Sequence, residues 1–130
     1  MQKEQFIHID KYGDKFYFAD RKMKILHREN GPAVDYAGGC KEWHLDGKLH
    51  REDGPAVVGA HGYKEWYLNG ERHREDGPAF ECADGYRAWY LNGEKLTEEQ
   101  FNARMNPVEL TLDEIAEKFG VSVDQLKIRK

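Results

Sequence analysis

A heptapeptide returns at a fixed interval. The chain reads HRENGPA from His27, HREDGPA from His50 and HREDGPA from His73, a step of 23 residues each time. The match continues beyond the heptapeptide, as KEWHLDG from Lys41, KEWYLNG from Lys64 and RAWYLNG from Arg87. A constant period of this length marks a repeat architecture, in which one unit cannot bury its own apolar face and a stack can. The units are 27–49, 50–72 and 73–96, and residues 6–26 read as a worn first copy. There Phe16-Tyr17-Phe18 stands in for Trp-Tyr-Leu, and extra residues precede His27.

Each unit carries the same local signals. In YKEWYL, alternation puts Lys64, Trp66 and Leu68 on one face and Tyr63, Glu65 and Tyr67 on the other. Asn69-Gly70 follows, a pair that favours a type I′ hairpin turn. Asp46-Gly47 and Asn92-Gly93 occupy the same place. The stretch ERHREDG shows no apolar pattern, and Gly77-Pro78 breaks it. AFEC is the second strand, and Ala83-Asp84-Gly85 turns into the next unit. Two strands per unit joined by tight turns predict a mainly β fold, an antiparallel β-hairpin meander. Equivalent residues of successive units then lie ~10 Å apart. Trp43, Trp66 and Trp89 form a row in the core, with Leu45, Leu68 and Leu91 beside them and Ala33, Ala56 and Ala79 leaving room for the indoles. Gly54 and Gly77 have structural roles in the loops.

After Leu96 the pattern becomes helical. Thr97-Glu98-Glu99-Gln100 is a capping box, and a helix to about Met105 has Phe101 and Met105 on one side. A second box at Thr111 opens the stripe Leu112, Ile115, Ala116 and Phe119. Residues 97–130 are expected to cap the open end of the sheet, folding back on the tryptophan face. The class is therefore β with a C-terminal helical cap, α+β.

Composition narrows the function. The chain has 20 basic and 24 acidic residues, a net charge of -4. That excludes a large basic footprint for nucleic acid. No apolar run approaches the ~20 residues of a membrane span, and the first residues lack the core of a signal peptide. Cys40 and Cys82 occupy different phases of the repeat. Free thiols and a cytoplasmic location are expected.

These repeats resemble the membrane occupation and recognition nexus (MORN) family, and more closely a divergent branch in phages, large DNA viruses and some bacteria, where HREDGPA and WYLNG recur. The resemblance covers roughly residues 12–104. It implies an elongated, twisted and curved sheet. His-Arg-Glu-Asp replaces the usual Gly-rich turn, so the lipid contacts proposed for that family do not carry over.

No catalytic set is recognisable, and no cofactor or metal is expected. Zinc needs ligand nitrogens within ~2.1 Å of one ion, whereas in-phase His27, His50 and His73 lie far apart. Arg28, Arg51 and Arg74 are expected to pair with Glu29, Glu52 and Glu75 in a structural ladder, or to form a ligand-binding edge. Tyr63, Tyr67, Tyr86, Tyr90 and His44, with Arg51 and Arg74 of the loops, are the candidate contacts for a protein partner. The function expected is non-catalytic protein binding, as in an inhibitor or immunity-type protein. The alternative is a nucleic-acid regulator using a helix-turn-helix-like tail at 111–130, a stretch that also resembles part of a LysM module. Self-association is a third reading.

Overall fold

The computed structural model describes residues 4–106. β1 (Phe6–Ile9) and β2 (Lys15–Phe18) make the first hairpin. The first full unit supplies β3 (Val34–Asp35), β4 (Lys41–Glu42), β5 (His44–Leu45) and β6 (Lys48–Leu49). The second supplies β7 (Val57–Val58), β8 (Lys64–Glu65), β9 (Tyr67–Leu68) and β10 (Glu71–Arg72). The third supplies β11 (Phe80–Glu81), β12 (Arg87–Leu91) and β13 (Glu94–Leu96). One nine-stranded antiparallel meander runs β1-β2-β3-β4-β7-β8-β11-β12-β13.

The units are more divided than two strands each. Regular strand pairing breaks at Trp43 and Trp66, so the aromatic strand is split there. Its first half stays in the sheet, and its second half pairs with the segment after the Asp-Gly or Asn-Gly turn, as β5 with β6 and β9 with β10. The supposedly unpatterned Glu71-Arg72 is thus a strand, because the two-residue turn forces a partner onto Tyr67-Leu68. In the third unit β12 remains continuous and pairs with β11 through one half and β13 through the other. All three turns have both central residues at positive φ, for example 51° at Asn69 and 82° at Gly70, the geometry of type I′.

The core differs from the expected row of indoles. Ala33, Val34, Ala56, Ala79, Ala88, Leu96 and Phe101 are buried, while the three tryptophans are only half-buried. The alanines lie where backbones approach closely: the carbonyls of Ala56 and Ala79 accept from the backbone N–H of Trp43 and Trp66 at 2.7 and 2.8 Å. The degenerate copy also aligns differently from its sequence. Tyr17, not Phe16, holds the tryptophan position, since its N–H donates to Ala33 and its carbonyl accepts from His27. The extra residues before His27 form a loop in which the Asp20 carboxylate accepts from the N–H of Lys24 and Ile25. Those bonds, the Ile25 one foremost, hold its carboxyl below the usual range.

The two cysteines are free. Their positions follow a steric rule. Across each connecting turn a tyrosine faces a small residue: Tyr36 with Cys40, Gly59 with Tyr63, and Cys82 with Tyr86, each pair joined by a backbone hydrogen bond.

α1 (Glu98–Met105) has both halves of its capping box, with the Thr97 hydroxyl accepting from the Gln100 N–H and the Gln100 side chain accepting from the Thr97 N–H. It packs on β12 and β13 through buried Phe101. The box stands one period after the last HREDGPA, with Leu96 in the histidine phase. The helix expected from Thr111 and the DNA-reading tail lie outside the described residues. No described helix is long and apolar enough to cross a membrane.

Candidate functional site

Each residue of the recurring motif has a separate task. The histidine ties the start of each unit to the turn near its end. His27 Nδ1 accepts from the Asp46 N–H, His50 Nδ1 from Asn69 and His73 Nδ1 from Asn92, each at 2.9 Å. The glycine of the same turn donates to the residue before the histidine, Leu26, Leu49 or Arg72, at 2.8 Å. An Nδ1 that accepts from an N–H leaves the proton of the neutral ring on Nε2. Replacing His50 therefore gives a graded result. His50→Ala is expected to cost about 1–2 kcal/mol in thermal unfolding. His50→Asn, whose amide oxygen falls near the Nδ1 position, recovers most of that loss, and His50→Gln does not. Equal losses for all three would remove the turn tie as the reason for histidine.

The arginine closes its own loop. The guanidiniums of Arg28, Arg51 and Arg74 stack 3.9, 3.9 and 3.8 Å from the ring centroids of Tyr17, Trp43 and Trp66. Nη1 of the same residues donates to the carbonyls of Pro32, Pro55 and Pro78. Nε of Arg51 and Arg74 donates to Asp53 and Asp76, at 3.0 and 2.7 Å. The expected Arg–Glu ladder is therefore replaced by Arg–Asp pairs inside the second and third loops, the first having Asn30 in the aspartate position. The short two-residue spacing lets Asp reach Nε while the longer Glu turns toward the histidine. Asp76 is held below the ordinary carboxylate range by Arg74. Gly54 and Gly77 make room: a Cβ on either would stand 3.0 Å from the guanidinium carbon of Arg51 or Arg74.

The opposite face carries the tyrosines. Glu65, only 7% exposed, accepts from the hydroxyls of Tyr63 at 2.9 Å and Tyr67 at 3.3 Å, and from Arg72 Nη2 at 3.0 Å. Arg72 also donates to the hydroxyls of Tyr67 and Tyr90. Burial works against the Arg72 charge, but Tyr67 and Glu65 more than offset it and raise its pKa. Tyr63 packs edge-on against Phe80, as Phe80 does against Tyr86. In the unit before, His44 is buried with Nε2 3.0 Å from Glu42, which it holds below the usual carboxylate range. His44 is thus a packed residue, not an outward contact. Lys95 donates to the hydroxyl of Tyr86. The tyrosines cluster as expected, but their hydroxyls serve this network and only Tyr86 is largely exposed.

Burial, followed by the bond to Glu65, pushes the Tyr63 phenol from 10.0 up to about 12. The unfolded chain loses that proton first, so stability is expected to fall as pH rises from 10.0 to about 12. Melting temperatures across that window, beside tyrosinate absorbance, check it. Tyr63→Phe should flatten the fall, and an unchanged slope would contradict the assignment.

On the motif side the loops stand as ridges with clefts between them. One cleft of about 580 Å³ has Trp43 and Leu45 as floor, between the Arg28 and Arg51 loops. The next, about 550 Å³, has Trp66 and Leu68 between the Arg51 and Arg74 loops. A smaller one of about 230 Å³ has Tyr17 as floor and Gln5 at its border. Trp89 lines a fourth, beside α1. The edge is acidic: Glu29, Glu52 and Glu75 have side chains 57, 85 and 70% exposed. Sequence reasoning missed these clefts, although a loop residue eight places after a tryptophan, in both Trp43–Arg51 and Trp66–Arg74, was the available signal. Among the described residues no group of three or more His, Cys, Asp and Glu is placed to hold a metal. No family model, curated protein or solved structure matches the chain.

Proposed function

We propose that this chain is a non-catalytic protein-binding module that engages its partner along the row of clefts between the HRED loops. The observation that carries the reading is repetition: the same aromatic floor and carboxylate border recur between successive loops. Preformed clefts of this kind suit a macromolecule that touches several at once, since linked contacts multiply affinity. The tyrosine face is a weaker candidate because its hydroxyls are bound within the chain. In its sharpest form the module is an inhibitor or immunity-type protein of the MORN-like branch that occludes a partner's surface.

The test is charge reversal at the border. Glu52→Lys/Glu75→Lys should abolish capture of a partner from a lysate of the native cell, while Tyr86→Ala retains it. The opposite pattern would move the site to the tyrosine face. Capture indifferent to both would sink the reading.

A further inference from the structure

The clefts have a spacing, a charge and a set of donors, and together these define a ligand. Each full unit sets two strands side by side in the main sheet, which puts successive clefts ~10 Å apart. A polyproline II helix rises ~3.1 Å per residue with three residues per turn, so its own repeat is ~9.3 Å. An extended segment of that form laid across the units returns to the same contact at each cleft. One face of each of Tyr17, Trp43 and Trp66 is taken by a loop guanidinium, and the ring surface that still lines each cleft is what a proline ring would pack against.

The border supplies the second term. Glu29, Glu52 and Glu75 are exposed at this edge, one per unit, and Asp53 and Asp76 lie beside them. Arg51 and Arg74 are paired with Asp53 and Asp76, so the exposed glutamate is left as the uncompensated charge of each of these two loops. A basic side chain at every third position meets one glutamate per turn.

The third term is the histidine row. His27, His50 and His73 each line one cleft. With Nδ1 accepting from the turn, Nε2 bears the proton. It lies 3.5, 3.7 and 3.5 Å from the glutamate of its own loop, and Nε2 of His27 is buried without a hydrogen-bond partner. A polyproline II backbone makes no internal hydrogen bonds, so its carbonyls are open acceptors.

We infer that the row of clefts binds a basic, proline-rich protein segment in the polyproline II conformation, one turn of the ligand per 23-residue unit. This rests on the cleft edge being the binding surface and adds the ligand's class and period.

The test uses a fluorescent peptide of four Pro-Pro-Lys copies. The controls are an isomer of the same residues with lysine at alternate positions followed by prolines, and four copies of Pro-Pro-Glu. The intact chain is expected to bind the first about tenfold more tightly than the isomer and to ignore the acidic peptide. Glu29→Gln/Glu52→Gln/Glu75→Gln should weaken binding about tenfold, with an unchanged melting temperature because these side chains are mostly exposed. Equal affinity for peptide and isomer, or no binding near ~1 mM, overturns the inference. Lysate capture separates this from the broader reading. A partner lost by the triple glutamine variant, with no affinity for Pro-Pro-Lys, leaves the cleft edge as a binding surface for another kind of segment. A partner retained by that variant removes both.

Discussion

Glu65→Ala is expected to lower stability by about 2–3 kcal/mol, some 10–20 °C in melting temperature for a domain of this size. Removing the carboxylate leaves Arg72 facing Tyr67 and Tyr90 without its counter-charge, and strips the hydroxyls of Tyr63 and Tyr67 of their acceptor. Breaking a fully buried pair costs more, but the Arg72 side chain is 36% exposed and water screens part of the loss. The other units show the remedy. Arg72 corresponds to Leu49 in the unit before, and Glu65 corresponds to Ala88 in the unit after. Glu65→Ala/Arg72→Leu should therefore return to within about 1 kcal/mol of the parent, because both charges leave together. A double variant no better than Glu65→Ala would show that the pair is not the unit of stability here.

Arg74→Ala is expected to cost about 2–3 kcal/mol, from the stack on Trp66 and the charged bond to the Pro78 carbonyl. Arg74→Lys should recover little, since an ammonium cannot lie flat on the indole while donating along two directions. Gly77→Ala alone should cost about 1–2 kcal/mol, because its Cβ would press the guanidinium against the ring beneath. In the Arg74→Ala background the sign reverses. Gly77 is not among the glycines at positive φ, so alanine there restricts the unfolded chain and stabilises by about 0.4–1 kcal/mol. Chemical denaturation of the four proteins checks this. An alanine that costs the same in both backgrounds would mean that the glycine serves the backbone rather than the arginine.

Period, turn type and capping box were legible because each depends on residues a few positions apart. The Asn69-Gly70 pair alone dictates both positive φ values, and Thr97 to Gln100 alone dictate the helix start. The split at Trp43 and Trp66 was not legible. Alternation describes a strand in one sheet, whereas these segments leave it partway to serve a second pairing. Aromatic size suggested a buried core, but a flat guanidinium covers an indole as effectively as a second layer does. The choice of Asp53 over Glu52 for Arg51 turns on reach within a folded loop, which spacing along a sequence does not encode. The cleft row was hidden for the same reason: its walls are loops of two units and its floor a strand of one.

The histidine tie has a direction, since each imidazole reaches forward to the turn that follows. The series of ties ends at His73, because the next residue in the imidazole's phase is the buried, apolar Leu96. Duplicating residues 50–72 in place would keep every backbone tie and set Val57 and Tyr67 where Phe80 and Tyr90 now meet Tyr63 and Arg72. Length in this molecule is thus adjustable in whole modules, with side-chain repacking confined to the one new joint.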